Sequence, residues 1–469
     1  MNKKRICLIV DNPIRDLDGM VLLAWTLAQE GLEVFLVPMY SQFYEIAALA
    51  PDMVLVNYLR PNNKHLVQAY KNCGILVGVL DTEGGILNDI EEELTNLVLR
   101  SNPENVDLYC FWGKMQYDSF VKNNVLPTEK MKVTGCPRYD FCSTKWKGAL
   151  ENLEESNKMI LVNTRFSLIF PRFNKRIEDE VKTMLDLGFT DDFVRESMRQ
   201  CFLVWAEMVK TVSDLARKFS EAAFVVRPHP FEQANIYKTL FADLKNVKVI
   251  QKGPSLPWIK AAKVLIQRDC STAVEASFLD VAPLSLEWIE ASHLNNPVVS
   301  SVSHHVKKKQ DIFGMIETLL RGEKLPGEND IIQIRDGIVN EWFYAIDGNS
   351  SKRVADAILE TLAGQKHLPD KRKLLKTFIS NIFSKKGIRG FHGYFGRRVL
   401  GTSNFYKIKS SLLNKPSGLA KEFSKKDVIE IVKRIDMTAN SEKSIKVEKV
   451  SNRDMQLKTA GKYSIKISL

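Results

Sequence analysis

The chain has 469 residues, 45% of them hydrophobic and 26% charged, with a formal net charge of +11. This length exceeds one ordinary hydrophobic core and predicts two or three domains, and no apolar run is long enough to span a bilayer. The start of the chain lacks the apolar core of a signal peptide, so we expect a cytoplasmic protein. The seven cysteines show no C-x-x-C or zinc-type spacing and are expected to be free, buried thiols.

The predicted elements alternate between apolar strands and helices. A strand at about 6–10, a helix patterned by Val21, Leu22 and Trp25, and a second strand form a βαβ unit, and apolar runs follow in DMVLVNYL, GILVGVL and VDLYCF. After a composition shift at 145–158 the alternation restarts with MILVN, AAFVVR, KVLIQ and APLSL. Continuous apolar strands of this kind predict parallel sheets covered on both faces.

The order of these elements predicts an α/β protein with two Rossmann-like domains that face a cleft. The expected boundaries are 1–145 for the N-terminal domain, 155–330 for the second domain, 331–365 for closing helices and 366–469 for a basic extension. Residues 366–469 contain 25 Lys and Arg against 8 Asp and Glu, which leaves 42 against 48 for the preceding residues. The extension therefore supplies the whole positive excess.

The stretch VLDTEGG places acidic residues where an apolar strand ends. Asp81 and Glu83 come directly after the strand, and Gly84 and Gly85 allow the backbone to turn sharply and approach a ligand. One interpretation is a carboxylate that acts as a general base or nucleophile. The alternative is a loop in which Asp81 caps the next helix and Glu83 is solvated.

The stretch FVVRPHP ends a second apolar strand. Its two prolines hold Arg227 and His229 in extended conformations, since each disfavours helix at the preceding residue. An arginine can bind phosphate through its fork of donors, and a histidine can protonate or hydrogen-bond a leaving phosphate. The alternative is a purely structural pair at a proline-shaped exit from the sheet.

A third strand, in LIQRDCSTAVEA, is followed by Asp269, Ser271 and Thr272 and then by a helix rich in small residues. Thr272 and Glu275 fit a capping box, while the same helix start offers hydroxyl and N–H groups to an anion. Both interpretations can hold together.

Three further features are weaker signals. VTGCPRYD and LVNTRF, which contains Asn163 and Thr164, are polar strand exits that a turn or a helix cap would explain. His304 and His305 are expected to be solvated loop residues.

The extension includes a basic segment, Lys371–Ser410, with eleven Lys or Arg and no Asp or Glu. Leu374, Leu375 and Phe378 belong to a set of apolar residues at helical spacing. A basic amphipathic helix with aromatic residues is typical of attachment to an anionic membrane surface. RNA binding and a helix packed on the body are the alternatives.

Together, the three strand-end motifs resemble those of bacterial GT-B glycosyltransferases that use CMP-activated acidic sugars, the sialyltransferases and Kdo transferases. In those enzymes an acidic motif ending in glycine precedes an HP motif and a later Ser/Thr pair. The counterparts occur here in the same order: Asp81, Glu83 and Gly84, then His229 and Pro230, then Ser271 and Thr272. The loosely defined surface carbohydrate biosynthesis proteins have stretches similar to LDTEGG, WG, VTGCPR, VNT, RPHP and DCSTAVEA. The resemblance covers about 81–287.

The resemblance implies a GT-B-like glycosyltransferase of bacterial surface polysaccharide synthesis, such as capsule or lipopolysaccharide synthesis. It would transfer a sugar from a nucleotide donor, with CMP favoured, to a glycan or lipid-linked acceptor. His229 would contact the departing phosphate, and an acidic residue, preferably Asp81 because it ends the strand, would deprotonate the acceptor or attack the sugar. The residues implied to bind the nucleotide sugar are Asn163, Thr164, Arg227, Pro230, Asp269, Ser271, Thr272 and Glu275.

No metal and no cofactor are expected, because His, Arg and a helix dipole can neutralise the leaving group without a divalent cation. The expected partners are the donor, the acceptor and an anionic membrane contacted through Lys371–Ser410, at the inner face of the plasma membrane, with no nucleic acid. A glycerol- or ribitol-phosphate transferase and a nucleotide-sugar epimerase of GT-B architecture stay open as alternatives. A non-catalytic protein that binds nucleic acid or membrane through its basic extension is a third.

Overall fold

The computed structural model describes residues 3–83, 85–153, 158–173, 176–186, 189–365, 367–382, 394–395, 405, 421–441, 443–451, 454–455 and 463–469. The chain divides into two compact units. The first unit comprises Met1–Glu151, Ile338–Gly401 and Lys421–Leu469, and the second comprises Asn152–Gly337 and Thr402–Ala420. Each unit has its own sheet with helices, so the predicted α/β fold with two Rossmann-like parts is confirmed.

The first unit begins with six parallel strands in the order β2-β1-β3-β4-β5-β6. They are β1 (Arg5–Val10), β2 (Glu33–Pro38), β3 (Met53–Val56), β4 (Leu76–Leu80), β5 (Leu108–Phe111) and β6 (Met131–Val133). The helices between them are α1 (Pro13–Gln29), α2 (Gln42–Leu49), α3 (Lys64–Asn72), α4 (Asn96–Leu99) and α5 (Lys114–Lys122). Asn12 caps α1 by accepting from the Ile14 amide, and Pro13 occupies the first helical turn.

The second unit has six parallel strands in the order β12-β11-β10-β7-β8-β9. They are β7 (Met159–Asn163), β8 (Ala223–Arg227), β9 (Val247–Val249), β10 (Val264–Gln267), β11 (Ala282–Leu286) and β12 (His304–Val306). Its helices are α6 (Ile177–Asp186), α7 (Asp191–Lys218), α8 (Ala234–Leu240), α9 (Leu256–Ala261), α10 (Thr272–Phe278), α11 (Pro297–Ser301), α12 (Asp311–Leu320) and α13 (Glu328–Ile338). Because β7 lies between β8 and β10, the three polar strand exits of this unit are neighbours.

His304 and His305 are not solvated loop residues as predicted. They belong to β12, where His304 is buried and its Nε2 lies 2.7 Å from Glu328. His305 is partly exposed and pairs with Glu287 at 2.8 Å. A strand of three residues is too short to leave a periodic signal in the sequence.

The C-terminal part of the chain contributes α14 (Ser350–Ala363), α15 (Lys371–Ile382), α16 (Lys425–Ala439), β13 (Lys446–Lys449) and β14 (Ile465–Ser468). β14 pairs antiparallel with β2, and β13 pairs with β14, so the complete order of the first sheet is β13-β14-β2-β1-β3-β4-β5-β6. The described C-terminal residues therefore belong to the first unit instead of forming a separate extension. The Lys466 ammonium fixes this strand by pairing with Glu33 at 2.6 Å.

The motif VTGCPRYD ends in a buried carboxylate that holds α14. Asp140 accepts hydrogen bonds from the Ser350 amide at 2.8 Å and from the Ser351 amide and hydroxyl, both at 2.7 Å. Because these donors are the otherwise unsatisfied groups of the helix start, Asp140 has a clear structural role.

Part of the basic segment Lys371–Ser410 packs on the first unit. Leu374 of α15 is buried in the first core, and Tyr394 stacks on Tyr44 with ring centroids 4.4 Å apart. Leu375 and Ile379 are exposed. Most of 383–420 lies outside the described residues, and no described helix is long and apolar enough to cross a membrane. The seven cysteines are free and buried, as predicted.

Candidate functional site

The first unit gathers polar side chains at the carboxyl ends of its parallel strands. A small pocket lies there among α1, the end of β4 and the loops after β5 and β6. The lining residues include Asp16, Asp81, Thr82, Trp112, Cys136 and Arg138. The stretches LDTEGG, WG and VTGCPR therefore meet at one edge of the sheet, where ligands of doubly wound sheets bind.

Asp81 lies at the bottom of this edge, with about 2% of its surface exposed. Its Oδ2 lies 2.7 Å from Arg60 Nη1, and its Oδ1 accepts the Glu83 amide at 3.0 Å. Burial raises the pKa of the Asp81 carboxyl above its ordinary value, while the Arg60 guanidinium opposes that shift. Asp81 thus holds the turn that presents Glu83.

Glu83 points outward, with 66% of its side chain exposed. One of its carboxylate oxygens accepts a hydrogen bond from Arg15 Nη1 at 3.1 Å. Arg15 also donates from Nε to Asp16 at 2.7 Å, which keeps the side chain near the start of α1. Of the two predicted carboxylates, Glu83 is the one that a molecule in solution can reach.

The close contact with Trp112 requires a residue without a side chain at position 85, which is Gly85. A Cβ atom at position 85 would lie 1.9 Å from Trp112 Cε3, so a larger residue would displace the indole. The Arg138 guanidinium lies 5.5 Å from the Trp112 ring centroid, which adds a cation to this edge. Gly84 lies outside the described residues.

In the second unit, a buried carboxylate joins the exits of β7 and β8. Glu232 is fully buried, and its Oε2 accepts from Thr164 Oγ1 at 2.8 Å and from the Phe166 and His229 amides at 3.2 Å. Its Oε1 accepts from the Tyr237 hydroxyl. Burial raises the pKa of Glu232, and its hydrogen-bond donors work against that shift. Glu232 thus ties the VNT and RPHP stretches together.

His229 is held on both sides of its backbone and at its ring. Its carbonyl accepts from the Glu232 amide at 2.8 Å and from Gln251 Nε2 at 2.7 Å. Its Nδ1 accepts the Phe231 amide at 3.3 Å. Since Nδ1 is an acceptor, the neutral ring carries its proton on Nε2, which is the donor that a leaving phosphate needs.

Arg227 and Pro230 have clear packing contacts. The Arg227 guanidinium donates to the carbonyls of Lys252 at 2.9 Å and Gly253 at 2.7 Å, and it lies 5.4 Å from the Trp258 ring centroid. Burial lowers the pKa of Arg227 to about 10. The Pro230 carbonyl accepts from Arg172. Arg227 therefore secures the loop after β9, a structural role that its sequence context left open.

Asn163 and Thr272 bring the exits of β7 and β10 into contact. Asn163 Nδ2 donates to Thr272 Oγ1 at 2.9 Å, and no described side chain bonds the buried Oδ1 of Asn163. The predicted capping box does not form, because α10 begins at Thr272 itself and Glu275 instead accepts from Ser255 at 2.7 Å. Ser271 is exposed at the helix start.

Asp269 lies two residues after β10 and adopts a left-handed backbone conformation, with a φ of 54°. Its carboxylate pairs with Arg165 and accepts the Asn296 amide at 2.6 Å. Burial raises the pKa of Asp269, and the Arg165 guanidinium opposes this. A strained non-glycine backbone is uncommon, and it often marks a functional turn.

Several residues of these clusters were not predicted from the sequence. They are Arg15, Arg60, Arg138, Arg165 and Glu232. Arg15 and Arg60 come shortly after the ends of β1 and β3, and Glu232 comes three residues after His229. A rule that flags every charged residue within about five positions of a buried parallel strand would have found them.

The fold is similar to several solved structures. A structure assigned as a UDP-N-acetylglucosamine 2-epimerase from Listeria monocytogenes matches with a TM-score of 0.50 and 14% identity, over 79% of this chain and 99% of that one. MnaA of S. aureus with UDP has a TM-score of 0.46 and 17% identity, over 78% and 99%. The wall teichoic acid polymerase TagF has a TM-score of 0.47 and 9% identity, over 77% and 90%.

No protein-family model matches the chain, and no curated protein matches it in sequence. At these identities the likeness defines the fold, which is the GT-B architecture of two Rossmann-type units.

We predict that Glu232→Gln destabilises the second unit by about 1–3 kcal/mol, because the amide nitrogen cannot accept hydrogen bonds and replaces one of the two oxygens that together accept four. Tyr237→Phe removes one donor and should cost about 1 kcal/mol. Amide hydrogen exchange of β7 and β8 measures both losses. Equal protection in wild type and Glu232→Gln would contradict the proposed link between the two strand exits.

Proposed function

We propose that this protein is a glycosyltransferase of bacterial surface polysaccharide synthesis that uses a nucleotide-sugar donor, with CMP as the favoured nucleotide. The observation that carries the proposal is the fixed His229, whose tautomer offers Nε2–H as a donor, on the GT-B fold. A histidine in this state can hydrogen-bond or protonate a departing phosphate without a metal ion. We place the reaction in the EC 2.4 class.

The second unit is the proposed donor-binding unit. The exposed Ser271 and the Asn163–Thr272 pair flank the start of α10, where hydroxyl and amide groups can donate hydrogen bonds to a phosphate oxygen. The buried Oδ1 of Asn163 can accept a hydrogen bond from the ligand. Asp269, held by Arg165, and the Glu232 carboxylate act on this surface indirectly, by fixing the loops.

The first unit is the proposed acceptor-binding unit, and Glu83 is its proposed base. Asp81 is preferred on sequence grounds because it ends β4. Its burial and its contacts with Arg60 and the Glu83 amide suit a positioning role better. The exposed Glu83 carboxylate beside Arg15 can receive a proton from an acceptor hydroxyl.

Two other activities fit the same fold. A glycerol- or ribitol-phosphate transferase also uses a cytidine nucleotide and a lipid-linked acceptor, and it would release a different product. A nucleotide-sugar epimerase, the activity named for the Listeria structure, would change the sugar without any acceptor. Product analysis with and without a glycan acceptor separates the three.

The experiment that tests the proposal combines a thermal-shift panel of CMP, CDP, UDP and GDP with turnover of the matching sugar nucleotides. We expect CMP to raise the melting temperature most, and turnover to persist in EDTA. His229→Ala should keep this nucleotide response and lose turnover by about 10²–10⁴-fold, the usual effect of removing a general acid.

The matched control is His305→Ala, a partly exposed histidine of the same unit, which should leave turnover unchanged. If His229→Ala turned over at the wild-type rate, His229 would have no part in the reaction.

A second prediction separates the two carboxylates. Glu83→Gln should lower kcat by about 10²-fold or more while the protein keeps its stability, because the exposed carboxylate has no packing role. Asp81→Asn should lower both the stability and the rate, since it leaves Arg60 without its buried partner. If Glu83→Gln were fully active and Asp81→Asn were inactive but stable, Asp81 would be the base.

We also propose that the protein associates with the cytoplasmic face of the plasma membrane, where a lipid-linked acceptor is available, partly through α15. Each exposed Lys or Arg near an anionic bilayer contributes about 1 kcal/mol. Because the C-terminal strands complete the first sheet, deleting the whole extension would damage the fold, and charge substitution is the better test.

We expect weaker binding to vesicles containing phosphatidylglycerol, by roughly two orders of magnitude or more, when four exposed bases of α15 become Gln. These are Lys371, Arg372, Lys373 and Lys376. The control replaces four exposed lysines of the second unit: Lys182, Lys210, Lys238 and Lys245. Equal losses in both variants would indicate a general charge effect with no specific role for α15.

A further inference from the structure

The C-terminal segment places a lysine at the candidate acceptor edge of the first unit. The Lys421 ammonium pairs with the Asp11 carboxylate, and only 18% and 6% of these side chains are exposed. Lys421 Nζ also lies 5.3 Å from the Tyr40 ring centroid and 3.5 Å from Met39 Sδ. Burial opposes the charge of Lys421, and the pairing with Asp11 outweighs it, so the pKa of the ammonium is raised.

The position of Lys421 is fixed by the helix that follows it. Ser424 and Asp427 form a capping box at the start of α16. On the first unit, Arg434 of this helix pairs with Asp18 at 3.2 Å, and Asp436 accepts from Trp25 Nε1 at 2.7 Å. Lys421 is therefore four residues from a helix anchored to α1, and it is not a freely moving tail residue.

Asp11 has a second cation within reach. Arg15 Nη2 lies 3.6 Å from Asp11 Oδ2, while the same guanidinium contacts Asp16 at 2.7 Å and Glu83 at 3.1 Å. Lys421, Asp11, Arg15 and Glu83 thus form a chain of alternating charges that runs from the C-terminal segment to the proposed base.

This row of alternating charges depends on the positive charge of Lys421. If the charge of Lys421 is removed, the Asp11 carboxylate stays buried, and Arg15 is the remaining cation paired with it among the described residues. An unpaired buried carboxylate is costly, whereas the exposed Glu83 can be solvated by water. Arg15 would then move toward Asp11 and away from Glu83.

We propose that Lys421 is a positioning residue that neutralises Asp11 and so keeps Arg15 on Glu83. The C-terminal segment, which lies outside the region of family resemblance, then completes the candidate acceptor site. The ion-pair part of this proposal stands on the contacts alone, and its effect on the rate rests on the proposed function.

The test uses three variants. They are Lys421→Met, Lys421→Arg and a double variant that carries both Asp11→Asn and Lys421→Met. Lys421→Met should lower kcat by about tenfold or more and leave the thermal shift by CMP unchanged, because the nucleotide response belongs to the second unit. Lys421→Arg should retain most activity. The double variant should recover activity, since a neutral amide in place of the Asp11 carboxylate no longer competes for Arg15, and a purely structural lysine would not predict that recovery.

Crystal structures of the same variants give a readout that needs no substrate. The Arg15–Glu83 contact should be absent in Lys421→Met and present in the double variant. Lys426→Met, a change at an exposed lysine of α16, is the matched control and should alter neither contact nor rate. An intact Arg15–Glu83 contact in Lys421→Met, or a double variant as impaired as the single one, would overturn the proposal. If the wild type transfers no sugar at all, the proposed function fails while the crystal structures still decide the role of Lys421.

Discussion

The central strands of both sheets are buried along nearly their whole length, so a charged side chain on them can be accommodated only near a strand end. The strands β1, β3 and β4 consist almost entirely of buried apolar residues, as do β7, β8 and β10. A charge within them would lose its hydration without a partner. Charged residues therefore collect at the strand ends, and both candidate sites lie at the carboxyl ends.

At those ends, the manner in which each buried charge is neutralised separates supporting residues from reactive ones. Asp81 pairs with Arg60, and Glu232 accepts four hydrogen bonds from neutral groups. Such buried, paired groups fix loops and gain little from a ligand. Glu83 and His229 sit beside them, less buried and held by a few directed contacts, which is the arrangement expected of groups that meet a substrate.

The strands and the strand-end motifs were predictable because each depends on a short local pattern. Continuous apolar runs identified β4, β8 and β10, and the polar residues after them followed directly. The partners of those residues were not predictable. Arg60 meets Asp81 because β3 and β4 are neighbours in the sheet, and β14 pairs with β2 although more than 400 residues separate them, so no local pattern links them. The capping box at Thr272 does not form for the same reason, since Glu275 accepts from Ser255, which is 20 residues away in the chain.

The sequence by itself determined the α/β class, the two-part organisation and the positions of Asp81, Glu83, His229 and Ser271 near strand ends. These features depend on the spacing of apolar residues and on turn residues, and both are patterns among residues that are close together in the chain. Only the tertiary structure decided that Asp81 is buried and Glu83 exposed, that Arg227 secures a loop, and that Lys421 returns to Asp11. Those outcomes depend on which strands lie side by side and on how much water reaches each charge, and both are set by contacts between residues far apart in the chain.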